Sequence, residues 1–314
     1  MEIEKLLPGI KKNISLREYT TFKIGGKSRY FFLAETKEEL VNAVRAAKKM
    51  KLGFFILGAG SNLLVADKGF KGLIIKIKND KHEIRNNKIL AGAGSNLGQL
   101  IAASAKNSLG GLEWASGIPG TVGGSIRGNA GAFGSSMADA VESVEVLDSK
   151  NLKFKIYKSK DCRFGYRQSI FKKKKNLIIF SATFKLQKEE KEKISKKIKE
   201  YLDYRKERHP KDPSAGSVFK NLKFESFGSK LILKNFPELL QFKEKGSIPA
   251  AFLISQCGLQ GKRIGDVKVS EQHANFILNT GRGKARDVVK LIKLIKNEVK
   301  NKFGVILEEE IEMI

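Results

Sequence analysis

The chain has 314 residues, of which 41% are hydrophobic and 30% charged, and its formal net charge at pH 7 is +27. This length exceeds what one compact core usually needs, so we expect two or three domains that fold without disulfide bonds. No apolar run approaches the roughly 18 residues of a membrane span, and the N-terminus lacks the uncharged core of a signal peptide, which predicts a cytoplasmic protein. Cys162 and Cys257 lack metal-ligand spacing, so no metal ion is expected.

The first elements predict a β-α-β unit that ends in a glycine-rich loop. RYFFLA (29–34) is typical of a strand, and Thr36 with Glu39 forms the pattern of a capping box, which predicts a helix through Met50. FFIL (54–57) predicts a short buried strand that continues directly into GAGSNLLV (58–65). The buried side of the helix is predicted from four apolar residues, Leu40, Val41, Val44 and Ala47.

A second round of strands and a helix leads to a longer glycine-rich segment. Residues 72–78 and 88–94 predict strands, and Ser95 is expected to cap a helix that ends near Asn107. Residues 110–134 are rich in glycine and are predicted to form a loop. Apolar residues are interleaved with these glycines, which favours an ordered binding loop over a flexible linker.

The remaining elements predict a further sheet and a last domain. Strands are predicted at 141–148, 152–158 and 176–186, with a turn at 148–151. A charged helix then runs to Glu207, and the segment after it contains His209, Pro210 and Pro213, which end the helix. The last domain is predicted to contain a helix at 251–259, a strand at 275–281, a helix from about 284 to 303 and a terminal strand at 305–314. We therefore expect domains at 1–208 and 209–314.

The glycine loops match no simple nucleotide-binding pattern. GAGSNLLV has Leu63 where the dinucleotide fingerprint needs its third glycine, and GGKS (25–28) has Thr21 where a phosphate-binding loop needs its first. Backbone N–H groups at Gly58, Gly60 and Ser61 could still form a nest for a pyrophosphate, although an ordinary strand-to-turn connection remains an alternative. The presence of a second glycine-rich loop, at 117–134, favours a long cofactor that contacts both loops.

Five blocks in order resemble the UDP-N-acetylenolpyruvoylglucosamine reductases, the MurB family. The blocks are ILGAGSNLLV (56–65), GIPGTVGGSIRGNAGAFG (117–134), CRFGYRQSIF (162–171), PSAGSVFKN (213–221) and LISQCGLQGKRIGD with VSEQHANFILN (253–266 and 269–279). The likeness extends from about Thr20 to the LEEEI sequence near the C-terminus. It implies an α+β fold in which a two-subdomain FAD-binding domain of the PCMH type precedes an α+β substrate-binding domain.

The resemblance also implies the ligands and the residues that bind them. FAD would be the cofactor, NADPH the hydride donor and a UDP-sugar enolpyruvate the substrate, with no nucleic-acid or membrane partner and a monomeric chain. The residues implied to contact FAD are Gly58, Ala59, Gly60, Ser61, Asn62, Leu63, Gly117, Ile118, Pro119, Gly120, Thr121, Gly123, Gly124 and Ile126. Those implied to contact the substrate are Tyr166, Lys220, Asn221 and Gln256.

Three further positions are implied to be catalytic: Arg167, Ser217 and Glu310. Reduction of an enol ether that bears a carboxylate needs a hydride on one carbon, a proton on its neighbour and stabilisation of the charge that develops between these events. The guanidinium of Arg167 matches a carboxylate through two parallel hydrogen bonds. Ser217 would donate the proton. Glu310 would lie with Arg167 around the substrate carboxylate and would share or relay the proton, although Glu308, Glu309 and Glu312 are close enough in sequence to remain alternatives.

Three features depart from the family pattern. Leu222 stands where proline is usual, and Glu312 stands where a basic residue often follows the catalytic glutamate. Only 50 positions separate Arg167 from Ser217, too few for the longer form's extra loop with its substrate-capping tyrosine. The chain therefore resembles the short, second type of the family.

Two other classes of protein remain as alternatives. An FAD-dependent oxidase with the same cofactor fold is the nearer one, although such enzymes often attach the flavin to a His or Cys and the glycine loops contain no histidine. A basic nucleic-acid-binding protein would account for the net charge. The basic residues are nevertheless spread over the predicted surface helices and alternate with acids, which is typical of a solvated face and favours small polyanionic ligands.

Overall fold

The computed structural model describes residues 2–224, 233–234, 236–244 and 246–314. The chain divides into two compact units. Unit 1 contains Met1–Ile14, Ser28–Ala59 and Phe70–Glu207, and unit 2 contains Ser15–Lys27, Gly60–Gly69 and Arg208–Ile314. The division after Glu207 lies beside the domain boundary predicted from sequence, but two short N-terminal segments lie with the C-terminal part of the chain. The functional division into 1–208 and 209–314 stays a prediction.

Unit 1 contains two sheets, and the mixture of parallel and antiparallel pairing confirms the α+β class. In the first sheet, strand Phe70–Ile77 lies between Lys27–Ala34 and Phe54–Leu57 and is parallel to both. The spatial order in this sheet is Lys11–Ser15, Lys27–Ala34, Phe70–Ile77 and Phe54–Leu57. The second sheet is antiparallel, in the order Lys153–Lys158, Val141–Asp148, Leu177–Lys185, Lys88–Gly92 and His82–Arg85.

Helix boundaries in unit 1 follow local capping signals. The predicted capping box is confirmed, because Thr36 accepts from the backbone of Glu39 while the Glu39 side chain accepts from the backbone of Thr36. The prediction that Ser95 caps the next helix is wrong by one residue, since the Asn96 side chain accepts from Gln99 N–H at 3.1 Å. The α-helices are Ile3–Leu6, Lys37–Lys49, Leu97–Lys106, Val122–Gly128, Met137–Ala140, Ile170–Lys173 and Lys191–Arg208.

The core of unit 1 is one apolar cluster that both sheets and their helices share. Helix Lys37–Lys49 buries one side against it, but the predicted stripe was partly wrong, because Val41 is only half-buried. The five residues that the helix buries are Leu40, Ala43, Val44, Ala46 and Ala47. Small alanines at these places let the helix approach the sheet closely, a role that a search for large apolar residues overlooks.

Shorter elements complete unit 1. Two-stranded pairs join Gly131–Ala132 with Ser135–Ser136 and Leu109–Gly110 with Gln187–Lys188. The glycine-rich segment 110–134 was predicted to be a loop, yet it contains helix Val122–Gly128 as well as strand residues. No helix of the described residues is both long and apolar enough to cross a membrane.

Unit 2 is organised around helix Ala285–Phe303, which buries seven residues in a second apolar cluster. A shorter helix, Ala250–Gln256, accompanies it. The strands are Arg263–Ile264, Val267–Val269 and Ile277–Asn279 in one antiparallel sheet, Leu222–Lys223 paired with Ser247–Ile248, and Glu312–Met313 parallel to Leu63–Leu64. The predicted terminal strand at 305–314 is too long, because only these two residues and a single bridge at Glu309 pair with other strands.

Candidate functional site

The first glycine loop has free donors and occupied acceptors. None of the backbone N–H groups of residues 58–62 donates a hydrogen bond to any described residue. The Gly58 carbonyl oxygen accepts from the ammonium of Lys76 at 2.9 Å, and the Gly60 carbonyl accepts from Thr21 N–H at 3.3 Å. Burial lowers the pKa of Lys76. Consecutive N–H groups without acceptors are suited to an anion such as a pyrophosphate.

The second glycine loop lies against the first within unit 1. A Cβ atom at Gly58 would lie 2.7 Å from the Thr121 hydroxyl oxygen, and one at Gly123 would lie 2.8 Å from the Ala93 Cβ. Thr121 also caps helix Val122–Gly128 by accepting from Gly124 N–H at 3.3 Å. Across the described ranges, the N–H groups of Gly117, Gly120 and Thr121 donate to no acceptor. Glycine at these positions lets the backbone approach a ligand closely, so the arrangement fits a phosphate-bearing cofactor such as FAD.

Arg167 lies at the tip of a tight turn in unit 1. Gly165 and Gln168 exchange both backbone hydrogen bonds at 3.0 Å, so Tyr166 and Arg167 are the two central residues. Arg167 has φ 53°, a conformation that usually requires glycine. Its guanidinium donates to the Gly131 carbonyl at 3.0 Å and lies 5.3 Å from the centre of the Tyr166 ring. Ten described non-glycine residues have a positive φ, so the contacts of the guanidinium, and not the backbone conformation, distinguish Arg167.

Asn129 connects this turn to the second glycine loop. It ends helix Val122–Gly128 in the left-handed conformation, with φ 44°. Its side-chain amide donates to the Gly165 carbonyl at 2.9 Å and accepts from Ala138 N–H at 3.0 Å. The helix that begins at the second loop therefore also supports the turn that carries Arg167. Asn129 is part of the quoted GNAG sequence, but its left-handed backbone could not be inferred from that sequence alone.

Ser217 lies in unit 2, in an extended segment that is bonded on both sides. On one side Val218 N–H donates to the Asn275 carbonyl at 2.8 Å. On the other side Glu310 N–H donates to the Val218 carbonyl at 2.7 Å, and Lys220 N–H donates to the Glu308 carbonyl at 2.9 Å. The structure therefore brings Ser217 and Glu310, two of the three predicted catalytic residues, onto adjacent stretches of chain.

The acidic C-terminal sequence directs its side chains to different partners. Glu308 forms an ion pair with Lys220 at 2.9 Å, and Glu309 forms one with Lys296 at the same distance. The hydrogen bond from Lys220 lowers the pKa of Glu308. Lysines therefore pair with both carboxylates that precede Glu310 in the sequence. Lys220, which was predicted to contact substrate, is already one half of an ion pair.

The other two predicted substrate residues of unit 2 lie at opposite ends of one helix. The Asn221 side-chain oxygen accepts from Ala250 N–H at 3.2 Å, at the first residue of helix Ala250–Gln256. Gln256 is the last residue of that helix, and its backbone carbonyl accepts from the ammonium of Lys302. A helix rises 1.5 Å per residue, so these two residues are separated by roughly 9 Å along its axis.

The predicted residues thus fall into two groups. Unit 1 contains Arg167, Tyr166, Gly58, Ala59, Gly117, Ile118, Pro119, Gly120, Thr121, Gly123, Gly124 and Ile126. Unit 2 contains Ser217, Glu310, Lys220, Asn221, Gln256, Gly60, Ser61, Asn62 and Leu63. Lys76, Asn129 and Asn275 support these groups and were not singled out from sequence. Of these three residues, only Lys76 is conspicuous in the sequence, because it is a lysine within an otherwise apolar predicted strand.

Known proteins match both parts of the chain. Residues 208–314 match the family described as UDP-N-acetylenolpyruvoylglucosamine reductase, C-terminal domain, and residues 28–151 match an FAD binding domain family. The UDP-N-acetylenolpyruvoylglucosamine reductase of Caldanaerobacter subterraneus subsp. tengcongensis is 40% identical over 304 residues, which cover 96% of this chain and 92% of the relative. That of Caldicellulosiruptor saccharolyticus is 41% identical over 316 residues, which cover 99% and 94%.

A solved structure agrees with these matches. The crystal structure of UDP-N-acetylenolpyruvylglucosamine reductase (MurB) from Thermus caldophilus is similar with a TM-score of 0.78 at 33% sequence identity, covering 97% of this chain and 99% of that one. These matches leave only 1% to 4% of this chain uncovered. The chain therefore belongs to the UDP-N-acetylenolpyruvoylglucosamine reductase family.

Proposed function

We propose that this chain reduces UDP-N-acetylglucosamine enolpyruvate to UDP-N-acetylmuramate, a step in peptidoglycan precursor synthesis, with FAD as cofactor and NADPH as hydride donor. The observation that carries the proposal is that backbone hydrogen bonds hold the Ser217 segment beside Glu308–Glu310 in unit 2, so that the proposed proton donor and the proposed acid lie on adjacent stretches of chain. An oxidase of small alcohols does not need this pair.

The glycine loops are the proposed FAD site. The unbonded N–H groups of residues 58–62 would bind the pyrophosphate, and those of Gly117, Gly120 and Thr121 would bind further along the cofactor. Bound FAD supplies hydride transfer. Lys76 lies beside the first loop and adds a positive charge close to the proposed phosphate position. Side chains at Gly58 or Gly123 would meet Thr121 or Ala93, so both positions exclude larger residues.

Arg167 is the proposed partner of the substrate carboxylate. Its planar guanidinium can form two parallel hydrogen bonds with a carboxylate. The bond to the Gly131 carbonyl and the contact with the Tyr166 ring restrict its side chain before substrate binds. A donor that is already oriented stabilises charge that develops during the reaction without a reorganisation cost.

Ser217 is the proposed proton donor, with Glu310 as its assisting acid. A serine hydroxyl is a weak acid, so it can act only when it is held within hydrogen-bonding reach of the reacting carbon and its proton is replaced. The hydrogen bonds of Val218 on both sides restrict the direction of the neighbouring Ser217 side chain. Glu310, on the adjacent stretch, would relay the replacement proton.

Lys220, Asn221, Tyr166 and Gln256 are the proposed substrate contacts. The ammonium of Lys220 suits a diphosphate oxygen, and binding would require it to share or exchange its bond with Glu308. The side-chain oxygen of Asn221 accepts from Ala250 N–H, which orients the amide group that would contact the ligand. We also propose that the chain acts as a monomer in the cytoplasm, where nucleotide-linked precursors and NADPH occur together.

Anaerobic NADPH oxidation by the purified holoenzyme tests the proposal. We expect NADPH to be consumed only when UDP-N-acetylglucosamine enolpyruvate is present, with one NADPH oxidised per substrate reduced. A yellow protein that ignores this substrate and reduces oxygen with a simple alcohol would contradict the proposal and favour the oxidase. A colourless protein that is retained on DNA in a salt-dependent manner would contradict the FAD site as well.

A further inference from the structure

We infer that Asn275 is a positioning residue for Ser217: it holds the segment that carries the proton donor and contacts neither substrate nor cofactor itself. This inference rests on the proposed function, since it assigns Asn275 a part in the proton-transfer step. Asn275 lies in the HANFILN sequence of unit 2, 58 positions after Ser217 in the chain.

The side chain of Asn275 bonds to the backbone of one residue in both directions. Its oxygen accepts from Phe219 N–H at 2.9 Å, and its amide nitrogen donates to the Phe219 carbonyl at 2.8 Å. The backbone carbonyl of Asn275 accepts from Val218 N–H at 2.8 Å. With only 3% of Asn275 exposed, water does not compete for these bonds. The amide group thus replaces a neighbouring β-strand for the residues directly after Ser217.

The turn that presents Asn275 is braced by its own hydrogen bonds. Ser270 N–H donates to the Phe276 carbonyl at 2.8 Å, and Phe276 N–H donates to the His273 carbonyl at 2.9 Å. Asn275 N–H donates to the His273 ring nitrogen Nδ1 at 3.3 Å. Phe276 also forms a bridge with Ser217 itself. A turn that is closed by its own hydrogen bonds restricts the position of the Asn275 amide.

The Ser217 segment needs such support because the chain before it is permissive. Gly216 has φ 74°, a region that glycine enters more readily than other residues, and a Cβ atom there would meet nothing within 4 Å. Glu308 and Glu310 hold the segment from the other side through Lys220 and Val218. Removal of the Asn275 amide would leave both polar groups of Phe219 buried without partners, a state that favours displacement of the segment. Displacement of a reacting group by about 1 Å can cost roughly 100-fold in rate.

Asn279 offers a matched control in the same sequence block. It is 4% exposed, and its amide nitrogen donates to the carbonyls of Phe22 and Lys23 at 3.1 and 3.3 Å. Its side-chain oxygen accepts from Gly281 and Gly283 N–H at 3.2 and 2.9 Å. Loss of this buried amide should therefore destabilise unit 2 without releasing Phe219.

The experiment follows a single turnover of the holoenzyme. FAD is reduced with dithionite under anaerobic conditions, and saturating UDP-N-acetylglucosamine enolpyruvate is added while the recovery of oxidised flavin absorbance is recorded. For Asn275→Ala we expect reoxidation about 10- to 100-fold slower than in the wild type, with unchanged FAD content. For Asn279→Ala we expect a lower Tm but a rate within about threefold of the wild type, because its bonds do not reach Ser217.

Asn275→Asp provides a second variant if the alanine protein does not fold. Its carboxylate can still accept from Phe219 N–H but cannot donate to the Phe219 carbonyl, so we expect the same slow reoxidation. A double variant with Ser217→Ala then separates positioning from general stability. Because Asn275 acts through Ser217, the Asn275→Ala change should slow the Ser217→Ala enzyme by less than twofold, and the two losses should not multiply.

Two outcomes would overturn the inference. One is reoxidation at the wild-type rate in both Asn275 variants, and the other is an equal loss of rate in Asn275→Ala and Asn279→Ala, which would indicate a structural role only. Either result leaves the proposed function intact as long as the wild-type holoenzyme is reoxidised by the substrate. If the wild type itself is not reoxidised, the proposed function fails first.

Discussion

The two glycine loops and the Ser217 segment are built in different ways. The loops offer backbone N–H groups that local conformation leaves unbonded, and their close packing depends on the absence of side chains at Gly58 and Gly123. The Ser217 segment is held by residues far away in sequence, with 56 positions between Phe219 and Asn275. The proposed cofactor site is therefore specified locally, whereas the proposed catalytic site depends on tertiary contacts. Substitutions in the glycine loops should therefore change FAD binding, whereas substitutions in the Ser217 segment or its contacts should change the rate of substrate reduction.

The largest expected effect is that of Ser217→Ala, which removes the proposed proton donor from the Ser217 segment and leaves the glycine loops unchanged. Reoxidation of reduced FAD by the enolpyruvyl substrate should slow by about 10²- to 10⁴-fold, the usual contribution of a general acid. Reduction of FAD by NADPH should be unaffected, because that step needs no proton from Ser217. Stopped-flow measurement of the two half-reactions separates them.

Ser214→Ala is the matched control for this change. Ser214 lies in the same turn, where its hydroxyl accepts from Gly216 N–H at 3.4 Å, and its loss should leave reoxidation within about threefold because that bond is long and partly exposed. If Ser217→Ala instead abolishes FAD reduction by NADPH while reoxidation persists, the proton-donor role is wrong.

Arg167→Lys should have the next largest effect and tests a residue of unit 1 that acts on substrate. Lysine keeps the positive charge but loses the planar group that can bind a carboxylate through two parallel bonds. We expect a loss of about 10²- to 10³-fold in kcat, comparable to removal of one donor that stabilises developing charge. Steady-state kinetics with varied substrate would measure it.

Arg163→Lys serves as its control, since Arg163 also has a positive φ, 48°, and precedes the same turn. Its expected change in kcat is below about twofold, typical of surface substitutions that break no special contact. A selective rise in KM for Arg167→Lys, with kcat unchanged, would indicate ground-state binding in place of charge stabilisation.

Much of the fold could be predicted from sequence where the determinants are local. The strand at 54–57, the capping box at Thr36 and the helix that ends at Phe303 depend on apolar periodicity and nearby polar groups, and the structure confirms all three. The glycine loops could be found for the same reason. Ser95 and Asn96 are both residue types that commonly cap helices. The sequence alone therefore could not show that the side chain of Asn96, one residue after Ser95, forms the cap.

Tertiary determinants were harder to predict. The alternating C-terminal sequence has the pattern of a long strand, but in the described structure it forms only the short strand Glu312–Met313, paired with Leu63–Leu64, and a single bridge at Glu309. The position of 15–27 and 60–69 within unit 2 likewise depends on contacts that no local pattern encodes. Ser217 and Glu310 were identified by family resemblance, whereas the Asn275 amide that holds their neighbourhood could only be found from the coordinates.

Gly58→Val changes the first glycine loop and should weaken the binding of FAD. A Cβ at this position would lie 2.7 Å from the Thr121 hydroxyl oxygen, so Thr121 or the loop must move. We expect the purified protein to lose most of its FAD, measured as flavin absorbance per mole of protein. Gly128→Ala is the control, because a Cβ there meets nothing within 4 Å and alanine favours the helix. Equal FAD content in the two variants would refute a cofactor site at this loop.

The smallest expected effect concerns the Lys220–Glu308 ion pair, which is one of the tertiary contacts of the Ser217 segment. Lys220 lowers the pKa of Glu308, so the stabilisation is present above the unfolded pKa of about 4.3 and is lost as the pH falls through the lower folded pKa. The Glu308 side chain is 75% exposed, and solvent screening limits the pair to about 1 kcal/mol or less. A double-mutant cycle of Glu308→Gln and Lys220→Met, measured by urea unfolding, should give a coupling free energy at pH 7 that disappears near pH 3. A coupling that persists at pH 3 would mean that the contact does not depend on the Glu308 charge.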